Sequence, residues 1–155
     1  MILVTVGTHF QPFDRLIKAA DKYAATTEDE VVIQTGVSKY VCQHAKSFAY
    51  CQREEMTRLL AQAEVIVMQG GWGGMLECIE KGYRVVAVPR IEGIEHVHDQ
   101  EQVVRKLESL GCIIGVYDIK DLSSAIEKAK SYEFKPLVKG NADIIVDTLN
   151  KWFSE

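Results

Sequence analysis

The sequence has few features of a secreted, membrane-spanning or nucleic-acid-binding protein. It contains only three prolines and four cysteines. The cysteines form no C-x-x-C pair, so we expect neither a disulfide framework nor a thiolate metal site, and we expect a reduced, cytoplasmic protein. No apolar run approaches the roughly 18 residues that a transmembrane helix needs. The formal net charge of -4 provides no positive field that would draw the chain onto nucleic acid or anionic lipid.

The remaining composition is that of one globular domain. Of the 155 residues, 47% are hydrophobic and 26% are charged, which is the usual balance for a chain with one core. A chain of this length can bury roughly 70% of the surface that it exposes when unfolded. We therefore predict a single domain over residues 1–155, stabilised without metal or disulfide bonds.

Short β-branched runs alternate with helical patterns along the chain, and this alternation predicts parallel βαβ units. The predicted fold class is α/β, an open parallel sheet with helices on both faces. Segment 38–46 has no clear period and is predicted as a loop or a short helix. Helices are expected to begin near Pro12, Arg53, Met75 and Asp99, with two more at 122–130 and 142–153. The predicted strands are 2–6, 31–34, 48–51, 65–68, 84–88 and 113–116.

Three loops are expected at the carboxyl edge of this sheet, where open α/β sheets bind their ligands. The glycine-rich loop allows a ligand to approach the backbone closely, and the N–H groups at the start of the next helix favour a diphosphate. Such a loop can equally be a packing solution, and it matches neither a Walker A motif nor G-x-G-x-x-G. The loops are Gly7-Thr8-His9, Gln69-Gly70-Gly71-Trp72-Gly73-Gly74, and the segment from Pro89-Arg90 to Gln100.

Three side chains in or beside the first two loops are candidate ligand contacts. Glu77 lies one helical turn beyond Gly73, so it is either an acceptor for ribose hydroxyls or a solvated helix carboxylate. Trp72 either covers a base or acceptor or forms a hydrophobic lid over the loop. His9 is interpreted as a ligand-side or capping residue, because spacing identifies no carboxylate that would make it a catalytic base.

A metal site at His96 and His98 is disfavoured. The two histidines resemble paired ligands on one strand face, but Asp99 is the only third ligand nearby. We therefore expect no metal. Asp99 is predicted to be the N-cap of the following helix, while its polar neighbours face a ligand.

Five motifs occur in order along the chain. They are Val4-Thr5-Val6-Gly7-Thr8, Val32-Ile33-Gln34-Thr35-Gly36, the glycine run followed by Leu76-Glu77, Val88-Pro89-Arg90, and Glu95-His96-Val97-x-Asp99. Together they resemble the C-terminal domain of family 28 glycosyltransferases over about the whole chain. The likeness is greatest to the small subunits of two-chain UDP-sugar transferases, namely those of capsule or exopolysaccharide synthesis and the dolichol-linked N-acetylglucosamine transferase.

The resemblance implies a Rossmann-like half of a GT-B enzyme that carries the UDP-sugar donor site. GT-B enzymes do not need a metal, and the sequence has no D-x-D motif, so no cofactor is expected. The loop amides and helix ends would stabilise the departing UDP. The resemblance implies three groups of donor contacts. Glu77 would bind the ribose, and Arg90, His96 and Asp99 would contact the sugar or phosphates. The diphosphate would be held by Gly7, Thr8, His9, Gln69, Gly70, Gly71, Trp72, Gly73 and Gly74.

The resemblance also implies a membrane-associated partner subunit. That partner would bind a lipid-linked glycan acceptor and supply the base that activates its hydroxyl, so no catalytic residue is assigned in this chain. The chain itself would be a cytoplasmic protein, recruited to the membrane by its partner. The implied reaction is inverting hexosyl or N-acetylhexosaminyl transfer.

The chain departs from the family in the glycine run. Relatives usually have Ser-His-Ala-Gly-x-Gly-Thr where this chain has Met68-Gln69-Gly70-Gly71-Trp72-Gly73-Gly74, so an imidazole and a threonine hydroxyl are lost. The Asn-Asp-His-Gln stretch of bacterial relatives here is His98-Asp99-Gln100-Glu101. A non-catalytic nucleotide-sugar-binding or regulatory subunit is therefore the alternative function. A dinucleotide oxidoreductase is disfavoured because Gly7 stands alone after the first strand.

Overall fold

The computed structural model describes residues 1–138 and 146–151, and its centre is one parallel six-stranded sheet. The spatial order of the strands is β3-β2-β1-β4-β5-β6. This order reverses between β1 and β4, and the crevice at such a reversal is the usual ligand site of an open α/β sheet. The strands are β1 (Ile2–Thr5), β2 (Val31–Gln34), β3 (Lys46–Phe48), β4 (Val65–Gln69), β5 (Val85–Val88) and β6 (Ile114–Gly115).

Helices connect the strands, except for β2 and β3, which a loop joins, and they cover both faces of the sheet; this confirms the predicted fold class. A short 3₁₀ turn, Ile119–Asp121, precedes the helix after β6, and residues 146–151 are also helical. Among the described residues, no helix combines the length and apolar character needed to span a membrane. The main helices are α1 (Asp14–Ala24), α2 (Arg53–Gln62), α3 (Trp72–Glu80), α4 (Glu101–Ser109) and α5 (Leu122–Ser131).

The core consists of two apolar layers, one on each face of the sheet. Successive strand side chains point to opposite faces. Ile2 and Val4 therefore pack with Leu16 of α1 on one face, whereas Leu3 packs with Met75 of α3 on the other. Because both faces are covered, the central strands are almost continuously apolar, as is typical of parallel sheets.

Several predicted boundaries differ from the structure. The third strand is Lys46–Phe48 rather than 48–51, because its register pairs Lys46 with Val32 and Phe48 with Gln34. Segment 38–46 is a loop up to this strand, and the alternative of a short helix is not observed. The predicted helix 142–153 is seen over 146–151, and its remaining residues lie outside the described part of the chain.

Candidate functional site

A pocket of about 420 Å³ lies where the strand order reverses, at the carboxyl ends of β1 and β4. This volume is within the range of roughly 300–1,000 Å³ that is common for small-molecule sites. Six of the predicted donor contacts line it: Gly7, Thr8, Gln69, Gly71, Gly74 and Glu77. The other lining residues are Thr5, Met56, Leu60, Met68 and Cys78.

The start of α3 forms one side of this pocket. The helix begins at Trp72 rather than at the predicted Met75, because Gly71 has an extended backbone and its carbonyl accepts the N–H of Met75 at 3.1 Å. The N–H groups of residues 71–74 thus precede the first intrahelical bond, and the positive end of the helix dipole lies beside them. This arrangement is suited to an anion such as a phosphate.

The glycines of this run differ in what a side chain at each position would contact. A Cβ on Gly70 would lie 2.8 Å from Val104 Cγ2, so Gly70 allows α4 to pack against the loop. A Cβ on Gly74 would lie 2.8 Å from Met68 Cε, beside the pocket. Gly73 faces open space. Trp72 is partly buried and packs against the core layer below α3, and it is not among the residues that line the pocket.

The first loop is fixed by Gln34, a buried residue whose role the sequence did not reveal. Gln34 Oε1 accepts the N–H groups of Val6 at 3.1 Å and Gly7 at 3.0 Å, and its Nε2 donates to Gly7 O at 3.0 Å. Thr5 Oγ1 donates to the same Oε1 at 2.7 Å. The sequence signals were a polar residue at the end of an otherwise apolar strand and its place in one of the family motifs, and neither predicts these hydrogen bonds.

Glu77 lies on α3 and lines the pocket, as its spacing predicted. Its side chain is 47% exposed, and its Oε1 accepts a hydrogen bond from Lys81 Nζ at 2.7 Å. This hydrogen bond and the charge of Lys81 lower the pKa of Glu77 below its usual value. The carboxylate is thus ionised at neutral pH and acts only as an acceptor, which suits hydroxyl donors such as those of a ribose.

Arg90 is 2% exposed and joins several segments around the site. Its Nε donates to Gln69 Oε1, its Nη1 to the carbonyl of Gln11 at 3.0 Å, and its Nη2 to the carbonyl of Val6 at 3.0 Å. The guanidinium also lies 4.6 Å from the centre of the Phe13 ring. Arg90 lines a second, more polar pocket of about 280 Å³ together with Asp99 rather than the pocket beside α3.

Two histidines of the site come together above the sheet edge. The rings of His9 and His96 have centroids 4.5 Å apart, and His9 Nε2 lies 2.9 Å from Gln11 Oε1. Neither histidine is among the residues that line the larger pocket. Within residues 1–138 and 146–151, no group of three or more metal-binding side chains occurs.

Asp99 was predicted as the N-cap of α4, and the structure corrects this by one residue. The capping position is Gln100, whose backbone is already helical and whose side chain is buried. Gln100 Oε1 instead accepts the N–H of Arg90 at 3.0 Å. Asp99 Oδ1 accepts the N–H of Glu101 at 2.8 Å from one residue earlier, so it still satisfies a donor of the first turn.

Sequence comparison identifies the family. Residues 1–142 match the model of the glycosyltransferase family 28 C-terminal domain. The chain belongs to this family. No curated protein matches the chain.

Solved glycosyltransferases share the fold. The glycotransferase of kitacinnamycin is 19% identical with a TM-score of 0.65, and the match covers 97% of this chain and 39% of that protein. The calicheamicin glycosyltransferase CalG4 is 18% identical with a TM-score of 0.64, covering 84% and 34%. MurG from Acinetobacter baumannii is 15% identical with a TM-score of 0.59, covering 97% and 49%. The chain thus spans less than half of each structure and corresponds to one half of a GT-B fold.

Proposed function

We propose that this chain is the donor-binding subunit of a UDP-sugar-dependent, inverting glycosyltransferase. Membership of family 28 supports glycosyl transfer. The observation that carries the nucleotide-sugar assignment is the pocket in which the start of α3, the Gly7 loop and Glu77 meet. The first two of these parts match the chemistry of a diphosphate, and Glu77 matches that of a ribose.

A nucleoside diphosphate has an anionic diphosphate, a ribose with two hydroxyls and a flat base. The N–H groups at the start of α3 suit the diphosphate. The N–H of Gly7 is bonded to Gln34, and Gly7 contributes instead by having no side chain, which lets the diphosphate approach the first loop closely. The ionised carboxylate of Glu77 suits the ribose hydroxyls. Met56 and Leu60 of α2 supply apolar surface for the base.

In this proposal the chain assists catalysis by stabilising the leaving group. Negative charge develops on UDP as the bond to the sugar breaks, and fixed N–H dipoles that face this charge lower the barrier. The proposal requires no metal or other cofactor. The general base that activates the acceptor hydroxyl is assigned to a separate, membrane-associated subunit that binds a lipid-linked glycan. The transferred sugar in this proposal is a hexose or N-acetylhexosamine. The chain spans less than half of the solved glycosyltransferases, and the proposal assigns the acceptor half to that subunit.

The alternative is a nucleotide-sugar-binding or regulatory subunit without catalytic activity. It is favoured by Gln69 and Gly74, which stand where relatives usually have histidine and threonine. Such a subunit would bind donor weakly and would not support transfer. An assay that measures transfer of a labelled sugar from a UDP-sugar to lipid, in membranes of the organism that produces the chain, separates the two functions.

Donor binding is tested by calorimetry and thermal unfolding with UDP, UDP-glucose, UDP-N-acetylglucosamine, GDP and NAD. A ligand at a hundred times its Kd stabilises the protein by about 2.7 kcal/mol, which raises the Tm of a domain of this size by roughly 5–10 °C. We expect this shift with the uridine ligands only. Glu77→Ala should raise the Kd for the uridine ligands about tenfold or more, because the ribose acceptor is lost.

The matched control is Glu80→Ala, which removes an exposed carboxylate from the same helix outside this pocket. Equal effects of the two substitutions would show that Glu77 acts only through its charge or through the helix. If none of the nucleotides raises the Tm of the unchanged protein, the proposal for this chain is wrong.

A further inference from the structure

We infer that Arg90 acts on the donor site through Gln69: it fixes the side-chain amide so that Nε2 is presented to the donor diphosphate. Arg90 is thus a positioning residue, and Gln69 makes the contact. The inference rests on the proposed function, which supplies the identity of the anion.

The orientation of the Gln69 amide follows from the chemistry of Arg90. A guanidinium has only donors, so the atom of Gln69 that receives its Nε must be the carbonyl Oε1. The guanidinium is buried and also donates to the carbonyls of Val6 and Gln11, each at 3.0 Å. These carbonyls hold it in one position, and the amide of Gln69 is thereby held in one orientation.

The opposite end of the amide then lies at the pocket. Gln69 Nε2 would be 2.5 Å from a Cβ on Gly7 and 3.6 Å from a Cβ on Gly71. Both glycines line the pocket, and neither carries a side chain that would cover Nε2. The NH₂ group therefore lies between the two loops that are proposed to hold the diphosphate.

This arrangement brings positive character to the pocket while the guanidinium itself stays outside it. Hydrogen bonds in a chain polarise one another, so a cation bound at Oε1 makes the Nε2 hydrogens better donors to an anion. Gln69 thus supplies a donor at the position where family relatives usually have an imidazole. Arg90 contributes to anion binding without a direct contact.

The test is Gln69→Glu, measured with UDP and with uridine, which has no phosphate. A carboxylate at this position can still accept from Arg90 in a charge-assisted hydrogen bond, so we expect the Tm not to fall. Its second oxygen replaces the NH₂ group and repels the diphosphate. We expect the Kd for UDP to rise about 10-fold to 100-fold, which is the range for a hydrogen bond to a charged group. The Kd for uridine should stay within about twofold, because no phosphate contact is involved.

A double-mutant cycle tests the route through Gln69. Arg90→Lys should weaken UDP binding in the unchanged background and have no further effect in Gln69→Leu, because the residue on which it acts is gone. Gln69→Leu should also lower Tm, because it leaves the Arg90 Nε without its acceptor, whereas Gln69→Glu should not.

The outcomes separate this inference from the proposed function. If the unchanged protein binds UDP and Gln69→Glu binds it as tightly, or loses UDP and uridine equally, the inference fails and the proposed function stands. An equal loss from Arg90→Lys in both backgrounds would also overturn it. If the unchanged protein binds neither UDP nor uridine, the proposed function fails and the inference fails with it.

Discussion

The imidazole rings of His9 and His96 lie 4.5 Å apart at an interplanar angle of 32°, which joins the loop after β1 to the loop after β5. His96 Nδ1 lies 3.0 Å from the backbone N and 3.2 Å from the carbonyl O of His98, so the tautomer of the ring decides which of the two hydrogen bonds it makes. Burial lowers the pKa of His96, and the nearby His9 lowers it further. The folded protein therefore favours the neutral form of His96 at this contact.

The first prediction concerns the effect of pH on stability. The pKa of His96 is lower in the folded protein than its usual value of 6.5. As the pH falls through this value, the unfolded chain binds the proton first, so the free energy of unfolding decreases. Urea unfolding between pH 7.5 and pH 5.5 should show a smaller decrease for His96→Gln than for the unchanged protein. If the free energy of unfolding decreases equally in the two proteins, His96 does not contribute to the pH dependence of stability.

The second prediction concerns Asp21, a buried residue of α1 that holds the loop 38–46. Its carboxylate accepts the N–H groups of Gln43, His44 and Ala45 and the hydroxyl of Tyr40, each at 2.9 Å. Burial raises the pKa of Asp21, but these four bonds outweigh it and lower the pKa from 3.8 to about 2. A shift of this size corresponds to about 2 kcal/mol of stability at neutral pH, and it is lost as the pH falls from about 4 to 2.

Asp21→Asn should therefore lower the free energy of unfolding by about 2–4 kcal/mol, because an amide group must face donors that need acceptors. For a domain of this size the Tm should fall by roughly 5–15 °C. Tyr40→Phe is the matched control, since it removes one of the four bonds and should cost only about 1 kcal/mol. A smaller effect of Asp21→Asn than of Tyr40→Phe would contradict this account.

The strands were predictable because of where they lie in the sheet. A central strand is buried on both faces, so Val65–Gln69 has an apolar run that is visible without any other information. The edge strand β3 contains exposed Lys46 and Ser47, and its pattern alone could not place it. Glycine is a poor helix former, so Gly73 and Gly74 hid the start of α3, where packing against the sheet overrides propensity.

The site was predictable only in part. The order of loops at the carboxyl edge follows from the parallel fold, so Gly7 and Glu77 could be assigned to one crevice. The contacts of Arg90 could not be predicted, because its acceptors Val6 and Gln11 lie some eighty residues away in the chain. The role of Asp21 was hidden for a different reason, because its partners lie in a loop without periodicity.

The third prediction restores a hydroxyl at a position where family relatives have threonine. Gly74→Ser places Oγ beside the pocket, and the Cβ requires only the flexible end of Met68 to move. One added hydrogen bond should strengthen UDP binding about fivefold. Gly73→Ser is the control, because its Cβ faces open space and the residue does not line the pocket. Both substitutions remove a helix glycine and should raise Tm slightly. A gain in UDP affinity for Gly73→Ser as well would contradict the assignment of position 74 to the UDP site.

The last prediction separates backbone strain from steric contact at Gly7. Gly7 and Gly82 have nearly the same backbone angle, with φ of 74° and 72°, so an alanine at either position costs about 1 kcal/mol in strain. A Cβ at Gly82 meets no atom within 4 Å, whereas a Cβ at Gly7 would lie 2.5 Å from Gln69 Nε2 and displace that amide from Arg90. Chemical denaturation should therefore show a larger loss of stability for Gly7→Ala than for Gly82→Ala. Calorimetry should show weaker UDP binding for Gly7→Ala alone, and equal effects of the two variants would mean that Gln69 can move aside without consequence.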